Sequence, residues 1–331
     1  MTRLRELIFA AALVVAAAAC SSDGGTAGTT AAPTRADASS AATLDYAVGQ
    51  RTIELVDDSR PTAADPKRNL PERPNRKFEV TLLYPAEGAP KTHPTPVTDA
   101  TPADGEFPLV VFSHGWTLSG DWGPYVGRLT YWAGAGYVVA APTFPLTSRS
   151  GAGAGDYVNQ PADVSFVIDE LLARAGLPDD LLHQHLDADH VGVAGHSLGA
   201  ATTIGLTFNS CCRDTRIDAA VEIAGTEFPF PNGDYTGWPP TPLLAIHGAR
   251  DRIIPVTGSD ELIDKAQPPT YYLRFPDGDH VNVLSAHPGA LVDDAVTAFF
   301  DLYLNHDPSQ LDGLPDRVRE SGLATFDART H

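Results

Sequence analysis

The sequence predicts an α/β fold, with a mostly parallel central sheet and helices on both faces, and three observations carry that prediction. Short, nearly continuous apolar runs recur from residue 109 to residue 275, as expected of strands buried on both faces. Stretches with helical spacing alternate with them, the arrangement that covers a sheet from both sides. One run, residues 191–194, passes through Gly195-His196-Ser197-Leu198-Gly199 into a small-residue stretch, 200–208, that suits a helix. A strand, a tight turn and a helix are therefore expected in succession.

The first 45 of the 331 residues do not look like core. Arg3 and Arg5 make a short basic end, partly offset by Glu6, and residues 7–19 are an uninterrupted apolar run. Spanning a bilayer takes about 20 apolar residues, so this run reads as an export signal over 1–19. Ala17, Ala18 and Ala19 before Cys20 resemble a bacterial lipoprotein processing site, which implies a lipid on Cys20 and attachment to the cell membrane; ordinary secretion is the alternative. Residues 20–45 are then a lipidated Cys and a Ser/Thr/Ala/Gly-rich tether with almost nothing to bury. Residues 46–331 are left as one domain.

Within that domain, residues 51–56 and 77–84 read as two opening strands. Further strands are expected at 109–113, 137–141, 191–194, 219–223, 243–246 and 271–275. The clearest helix begins at Pro161, with Val164, Val167, Ile168, Leu171, Leu172 and Ala175 spaced along one face. No internal repeat is visible.

Composition narrows the function. With 23 Lys+Arg against 42 Asp+Glu, the formal net charge is -19, which disfavours a nucleic-acid surface built on phosphate contacts. The same excess disfavours electrostatic docking on an anionic membrane, so any attachment is expected through lipid and not charge. A hydrophobic content of 43% leaves material for a sizeable core.

The turn at 195–199 carries the chemistry. Gly195 and Gly199 are expected because side chains there would collide with neighbouring backbone, while Ser197 is held strained with its hydroxyl exposed. A serine hydroxyl is a weak nucleophile, so a base must take its proton and an acid must orient that base. Asp251 and His280 follow in the order this turn expects, each just past the end of an apolar run. Glu227 and His287 are their main rivals. The oxyanion of a tetrahedral intermediate needs donors, expected from the backbone N–H of Leu198 and of Trp116, in the loop Ser113-His114-Gly115-Trp116. Tyr84, Trp122 and Phe144 are candidate pocket residues.

On these segments, with Leu83-Tyr84-Pro85-Ala86 and Asn159-Gln160-Pro161-Ala162-Asp163, the chain resembles the serine α/β-hydrolases along residues 46–305. Within them it is similar to secreted platelet-activating-factor acetylhydrolases and to bacterial chlorophyllase- or dienelactone-hydrolase-like esterases, and more distantly to cutinase-like polyester hydrolases. The resemblance implies an α/β-hydrolase fold and hydrolysis of a small-molecule or lipid ester through an acyl-enzyme on Ser197, with no metal or organic cofactor. A peptidase or thioesterase using the same triad, and an inactive surface-binding lipoprotein with this fold, are the alternatives.

Three features remain. The neighbours Cys211 and Cys212 are the only cysteines besides Cys20. Export permits a disulfide between them, two free thiols being the other possibility. His183, His185 and Asp187 resemble a metal-binding set, but a solvated loop entering the next strand explains them without metal. The glycine-rich stretch 151–155 reads as a loop near the site, because it lacks the Lys and the context of a phosphate-binding loop.

Overall fold

The computed structural model describes residues 44–148 and 153–331. The expected export signal, the lipidated Cys20 and nearly all of the tether lie outside the described residues, as do Gly151 and Ala152. In chain order the strands are β1 (Ala47–Asp57), β2 (Arg76–Ala86), β3 (Val97–Thr98), β4 (Phe107–Ser113), β5 (Val138–Thr143), β6 (Leu186–His196), β7 (Ile217–Ile223), β8 (Leu243–Gly248), β9 (Thr270–Phe275) and β10 (Thr325–Arg329). They form one sheet in the order β10-β9-β8-β7-β6-β4-β5-β2-β1-β3. Neighbours from β5 through β4 to β9 are parallel. At one edge β2 runs antiparallel to β5 and β1 antiparallel to β2, while β10 runs antiparallel to β9 at the other.

Period-two alternation along each strand feeds two cores. Val110, Phe112, Val221 and Ile246 face helices α1 (Gly123–Gly134), α5 (Ala286–Leu304) and α6 (Ser309–Ser321), packing with Trp132, Phe300 and Leu314. Leu109, Val111, Val193 and Ala220 face the opposite way, toward α2 (Gln160–Ala175), α3 (Leu198–Phe208) and α4 (Thr257–Lys265). Helix α2 starts one residue ahead of the expected Pro161 and buries Val164, Val167, Ile168 and Leu171. Every residue of α3 is buried, because the segment after β7 covers its outer side, with Trp238 stacked on Phe208 at 4.5 Å. A helix apolar on all sides requires such cover.

The helices after β4 and after β6 leave toward opposite faces of the sheet. The carboxyl ends of these neighbouring strands therefore open into a crevice, where parallel sheets place their ligands. One expectation about this part of the chain is corrected. The polar residues 187–190 belong to β6 and not to a loop before it, and a register shift opposite Pro108 and Leu109 accommodates them. There His190 Nδ1 lies 2.7 Å from Asp187, while His183 Nδ1 donates to the Ala175 carbonyl at 2.9 Å. Among the described residues no group of three or more His, Cys, Asp or Glu is placed to hold a metal ion. No helix among them is long and apolar enough to cross a membrane. Cys211 and Cys212 share the turn after α3, where the structure brings their sulfurs together.

Candidate active site

Strand β6 ends at His196 and is followed by Ser197, whose backbone sits at φ 59° and ψ -119°. A residue with a side chain occupies this region only under constraint. The Ser197 N–H donates to the Ile223 carbonyl at 2.9 Å, tying the turn to β7. A Cβ on Gly199 would stand 1.9 Å from the Ser113 carbonyl oxygen, and one on Gly195 2.2 Å from that of Gly199. Neither position admits a side chain. The turn projects Ser197 past the end of β6, and α3 begins at Leu198 with its unpaired N–H groups and positive dipole end on the same side.

Asp251 and His280 arrive in the loops after β8 and β9. These loops touch through glycine, since a Cβ on Gly248 would lie 2.4 Å from the Gly278 backbone. The Arg250 N–H also donates to the Gly278 carbonyl at 2.8 Å. His280 Nδ1–H donates to Asp251 Oδ2 at 2.6 Å, which leaves Nε2 to accept from the Ser197 hydroxyl at 2.8 Å. The carboxylate only accepts, and that assigns the tautomer. The remaining Asp251 oxygen accepts the N–H groups of Ile253 at 2.7 Å and Ile254 at 2.9 Å. Burial by itself would raise the Asp251 carboxyl; hydrogen bonds from His247, His280 and the Ile253 backbone outweigh it and hold the group far below the usual carboxylate range. Of the rivals, Glu227 is paired with Lys265 at 3.1 Å and His287 is exposed in the first turn of α5.

The loop after β4 passes beside this chain. His114 is buried, with Nδ1–H donating to the Gly115 carbonyl at 2.8 Å and Nε2 accepting the Phe144 N–H at 3.1 Å. Burial lowers its pKa to about 4, so it is neutral. The Gly115 N–H goes to the Tyr125 hydroxyl at 3.1 Å and the Thr117 N–H to the Thr147 carbonyl at 2.6 Å. The Trp116 N–H lies between two donors that are already engaged. Tyr125 in turn donates to His196 Nδ1 at 2.7 Å, and His196 Nε2–H donates to the His280 carbonyl at 2.9 Å. Burial, with the nearby charge of His280, lowers the His196 pKa to about 3. His196 is thus a neutral spacer connecting the loop after β4 to the backbone of His280.

Comparison with known proteins fits this arrangement. A family model described as Chlorophyllase matches residues 75–226, from β2 past β7 and through the turn at Ser197. A ferulic acid esterase from Streptomyces cinnamoneus superposes with a TM-score of 0.61 at 23% identity, covering 84% of this chain and 94% of that one. The chain has the α/β-hydrolase fold. The proteins named "Uncharacterized protein YfhR" from Salmonella typhimurium and Escherichia coli are 35% identical to this chain over 66 residues. That match spans 20% of this chain and 23% of the length of those relatives.

The expected pocket residues separate. Tyr84 is not at the site, which corrects the sequence expectation. Strand β2 is antiparallel to β5, pairing Leu83 with Val139, so its last residues lie at the amino-terminal edge of the parallel strands. Tyr84 there donates to the Ala100 carbonyl at 2.8 Å. Phe144 is near the site but fully buried against the His114 ring at 5.0 Å, so it supports the loop and does not line a pocket. Trp122 is half-buried and packs edge-on against Tyr125 at 4.8 Å. Trp116 is half-buried, with its indole Nε1 lacking a hydrogen-bond partner.

Sequence reading missed Tyr125, Glu222, His247 and Ser259. Glu222 had a signal, a carboxylate inside an otherwise apolar strand run, and such a group is seldom buried without partners. His247 had one too, four residues before Asp251. Tyr125 and Ser259 carry no local mark, because only tertiary contact gives them partners.

Proposed function

We propose that this hydrolase cleaves carboxylic esters through an acyl-enzyme on Ser197. The observation that carries the reading is the continuous hydrogen-bonded chain from Ser197 through His280 to Asp251, at 2.8 and 2.6 Å, beside the loop after β4. His280 Nε2 takes the Ser197 proton as Oγ attacks the ester carbonyl carbon, and the carbonyl oxygen becomes an oxyanion. The N–H groups of Leu198 and Trp116 are assigned to hold that oxyanion. As the tetrahedral intermediate collapses, the carbon–oxygen bond to the alcohol breaks and His280 returns the proton to the leaving oxygen. Water repeats the sequence on the acyl-enzyme, releasing the acid and restoring Ser197. Asp251 fixes the imidazole tautomer and stabilises its cationic form.

Esters are preferred over amides because the superposed neighbour is named an esterase and the matching family is Chlorophyllase. Ile253 and Val281 expose apolar side chains in the loops that carry Asp251 and His280, which suits an ester with an apolar part. We place the enzyme outside the cell, anchored by lipid on Cys20; palmitate-analogue labelling as weak as that of a Cys20→Ala control removes the anchor from the proposal. Fluorophosphonate labelling and p-nitrophenyl ester turnover test the chemistry. Wild type is expected to label and turn over, with Ser197→Ala losing labelling and at least about 10³-fold in turnover. A folded wild type that does neither is a binding protein.

A further inference from the structure

Behind the triad acid lies a second, fully buried chain of polar groups. Glu222 at the end of β7, His247 on β8 and Ser259 on α4 are each inaccessible to solvent. Glu222 Oε1 accepts a short hydrogen bond from Ser259, and its other oxygen accepts the Gly225 N–H at 2.8 Å. Ser259 Oγ lies 2.6 Å from His247 Nδ1. His247 Nε2 is 3.0 Å from the Ile254 carbonyl and 3.1 Å from Asp251 Oδ2, the same oxygen that receives His280.

The protons on this chain can be counted. The Ile254 carbonyl only accepts, so His247 Nε2 carries a proton. Ser259 has one hydroxyl proton and two close neighbours, Glu222 Oε1 and His247 Nδ1. If it donates to one, the other contact needs a proton of its own, because two lone pairs facing at such separations repel. That second proton sits either on His247 Nδ1, giving an imidazolium beside a carboxylate, or on Glu222, giving a neutral pair. The surroundings choose between them. Around the His247 ring stand Glu222 from β7, Ser259 from α4, Asp251 from its own loop, and His280 and the neutral His196 from the triad side. Tyr272 on β9 and Asp260 on α4 lie beyond Glu222. Burial opposes charge on both partners and raises the Glu222 carboxyl, but at His247 the hydrogen bond to Asp251 and the field of Glu222 outweigh it and raise the ring's pKa.

We propose that Glu222, Ser259 and His247 form a proton-holding relay behind the triad acid, in which His247 stands as an imidazolium donating to Asp251 and limits how strongly Asp251 draws a proton onto His280. His247 is on this view a positioning residue of the site, and its effect on rate rests on the ester-hydrolase reading. The mechanism is electrostatic. An Asp251 carboxylate with one cationic donor already in place offers less stabilisation to a second cation at His280. Asp251 Oδ2 bridges the two rings, so their nearest nitrogens are within about 6 Å. At an effective dielectric near 20, losing the near cation while its distant counter-charge is also neutralised shifts a titration by about one pH unit.

Two measurements test the relay. The first is direct: nitrogen NMR of the full-length Ser197→Ala protein with labelled histidine, the His247 signals assigned by their absence in a His247→Gln sample. Two protonated ring nitrogens on His247 at pH 7 are expected; a single one overturns the proposal. The second reads the pH dependence of kcat/KM for a p-nitrophenyl ester in Ser259→Ala and Glu222→Gln. Ser259→Ala strands the His247 Nδ1 proton, and Glu222→Gln removes the anion that holds it, so both return the ring to its neutral form. The alkaline plateau is expected to persist while the acid limb moves up by about one unit, a roughly tenfold loss on the acid side. Acid limbs within about 0.3 unit of wild type in both folded variants overturn the proposal. A wild type without ester turnover removes the esterase reading alone, because the NMR measurement decides the relay without activity.

Discussion

The Tyr125 hydroxyl ties the loop after β4 to the turn at Ser197. Tyr125→Phe removes it and little else. The hydroxyl accepts from the Gly115 N–H at 3.1 Å and donates to His196 Nδ1 at 2.7 Å, and all three residues are buried. The variant leaves a donor and an acceptor unpaired, each costing about 1–3 kcal/mol, against which the phenylalanine escapes burying a hydroxyl. A net loss of about 2–3 kcal/mol follows, corresponding to a fall of roughly 3–5 °C in Tm for a domain of this size. A replacement water has little room, because the Phe112 and Trp122 rings each pack 4.8 Å from the Tyr125 ring. Catalysis suffers by a different route. Without its anchor at Gly115 the loop holds the Trp116 N–H less firmly; losing an oxyanion donor outright costs about 10²–10³ in kcat, and loosening one is expected to cost about tenfold. Thermal unfolding followed by circular dichroism, with kcat and KM on a p-nitrophenyl ester, reads both effects. A variant within 1 °C and within twofold of wild type in kcat would show that the link between loop and turn has no energetic weight.

Two further outcomes are expected. Asp251→Asn keeps the shape of the site but deprives His280 Nδ1–H of its carboxylate, so kcat should fall by about 10³–10⁴ with KM little changed; a loss below tenfold in a folded protein would assign the acid role elsewhere. Arg76 is buried between Asp163, at 2.6 and 2.7 Å, and Asp156, at 2.9 and 3.1 Å. Arg76→Met removes the buried cation between the two carboxylates and leaves Asp163 only its pair with Arg60 at 2.8 Å, at a cost of about 3–5 kcal/mol near neutral pH. Burial already raises the Asp163 pKa to about 6 against its hydrogen bonds to Arg76. The folded variant thus takes up a proton that the unfolded chain binds only near pH 4, and stability should recover as pH falls from 7.5 toward 5. Thermal melts at the two pH values check this, and a defect that deepens on acidification reverses the sign.

How much of this was legible in the sequence depended on whether a residue's partners lay close in the chain. The six apolar runs between residues 109 and 275 were found because burial on both faces leaves an uninterrupted local signature, and the turn at Ser197 because its glycines must flank the serine directly. The edge strands were not. Thr325–Arg329 is largely exposed and holds on through Phe326, stacked on Tyr271 at 6.0 Å, so it lacks the apolar content by which a strand is recognised. Tyr84 was misplaced because chain order does not reveal which end of the sheet a strand points to; only the antiparallel pairing of β2 decides it. The buried network around Glu222 escaped for a related reason. Its members lie on β7, β8 and α4, and nothing in the sequence states that these elements meet.

Four histidines within one site show how far environment, and not residue type, fixes chemistry. His114 and His196 are buried against backbone groups and hydroxyls that satisfy a neutral ring, and their pKa values fall to about 4 and about 3. His247 is equally buried, yet carboxylates on both sides of it pull the other way. His280 has a carboxylate at one nitrogen and the Ser197 hydroxyl at the other. It is the one ring of the four arranged to gain and lose a proton within a reaction cycle. An acid limb between pH 5 and 8 can arise neither from His114 and His196, which stay neutral throughout, nor from His247 so long as Glu222 and Ser259 hold its proton. Burial thus silences two of these imidazoles, His114 and His196, while carboxylates decide the state of His247.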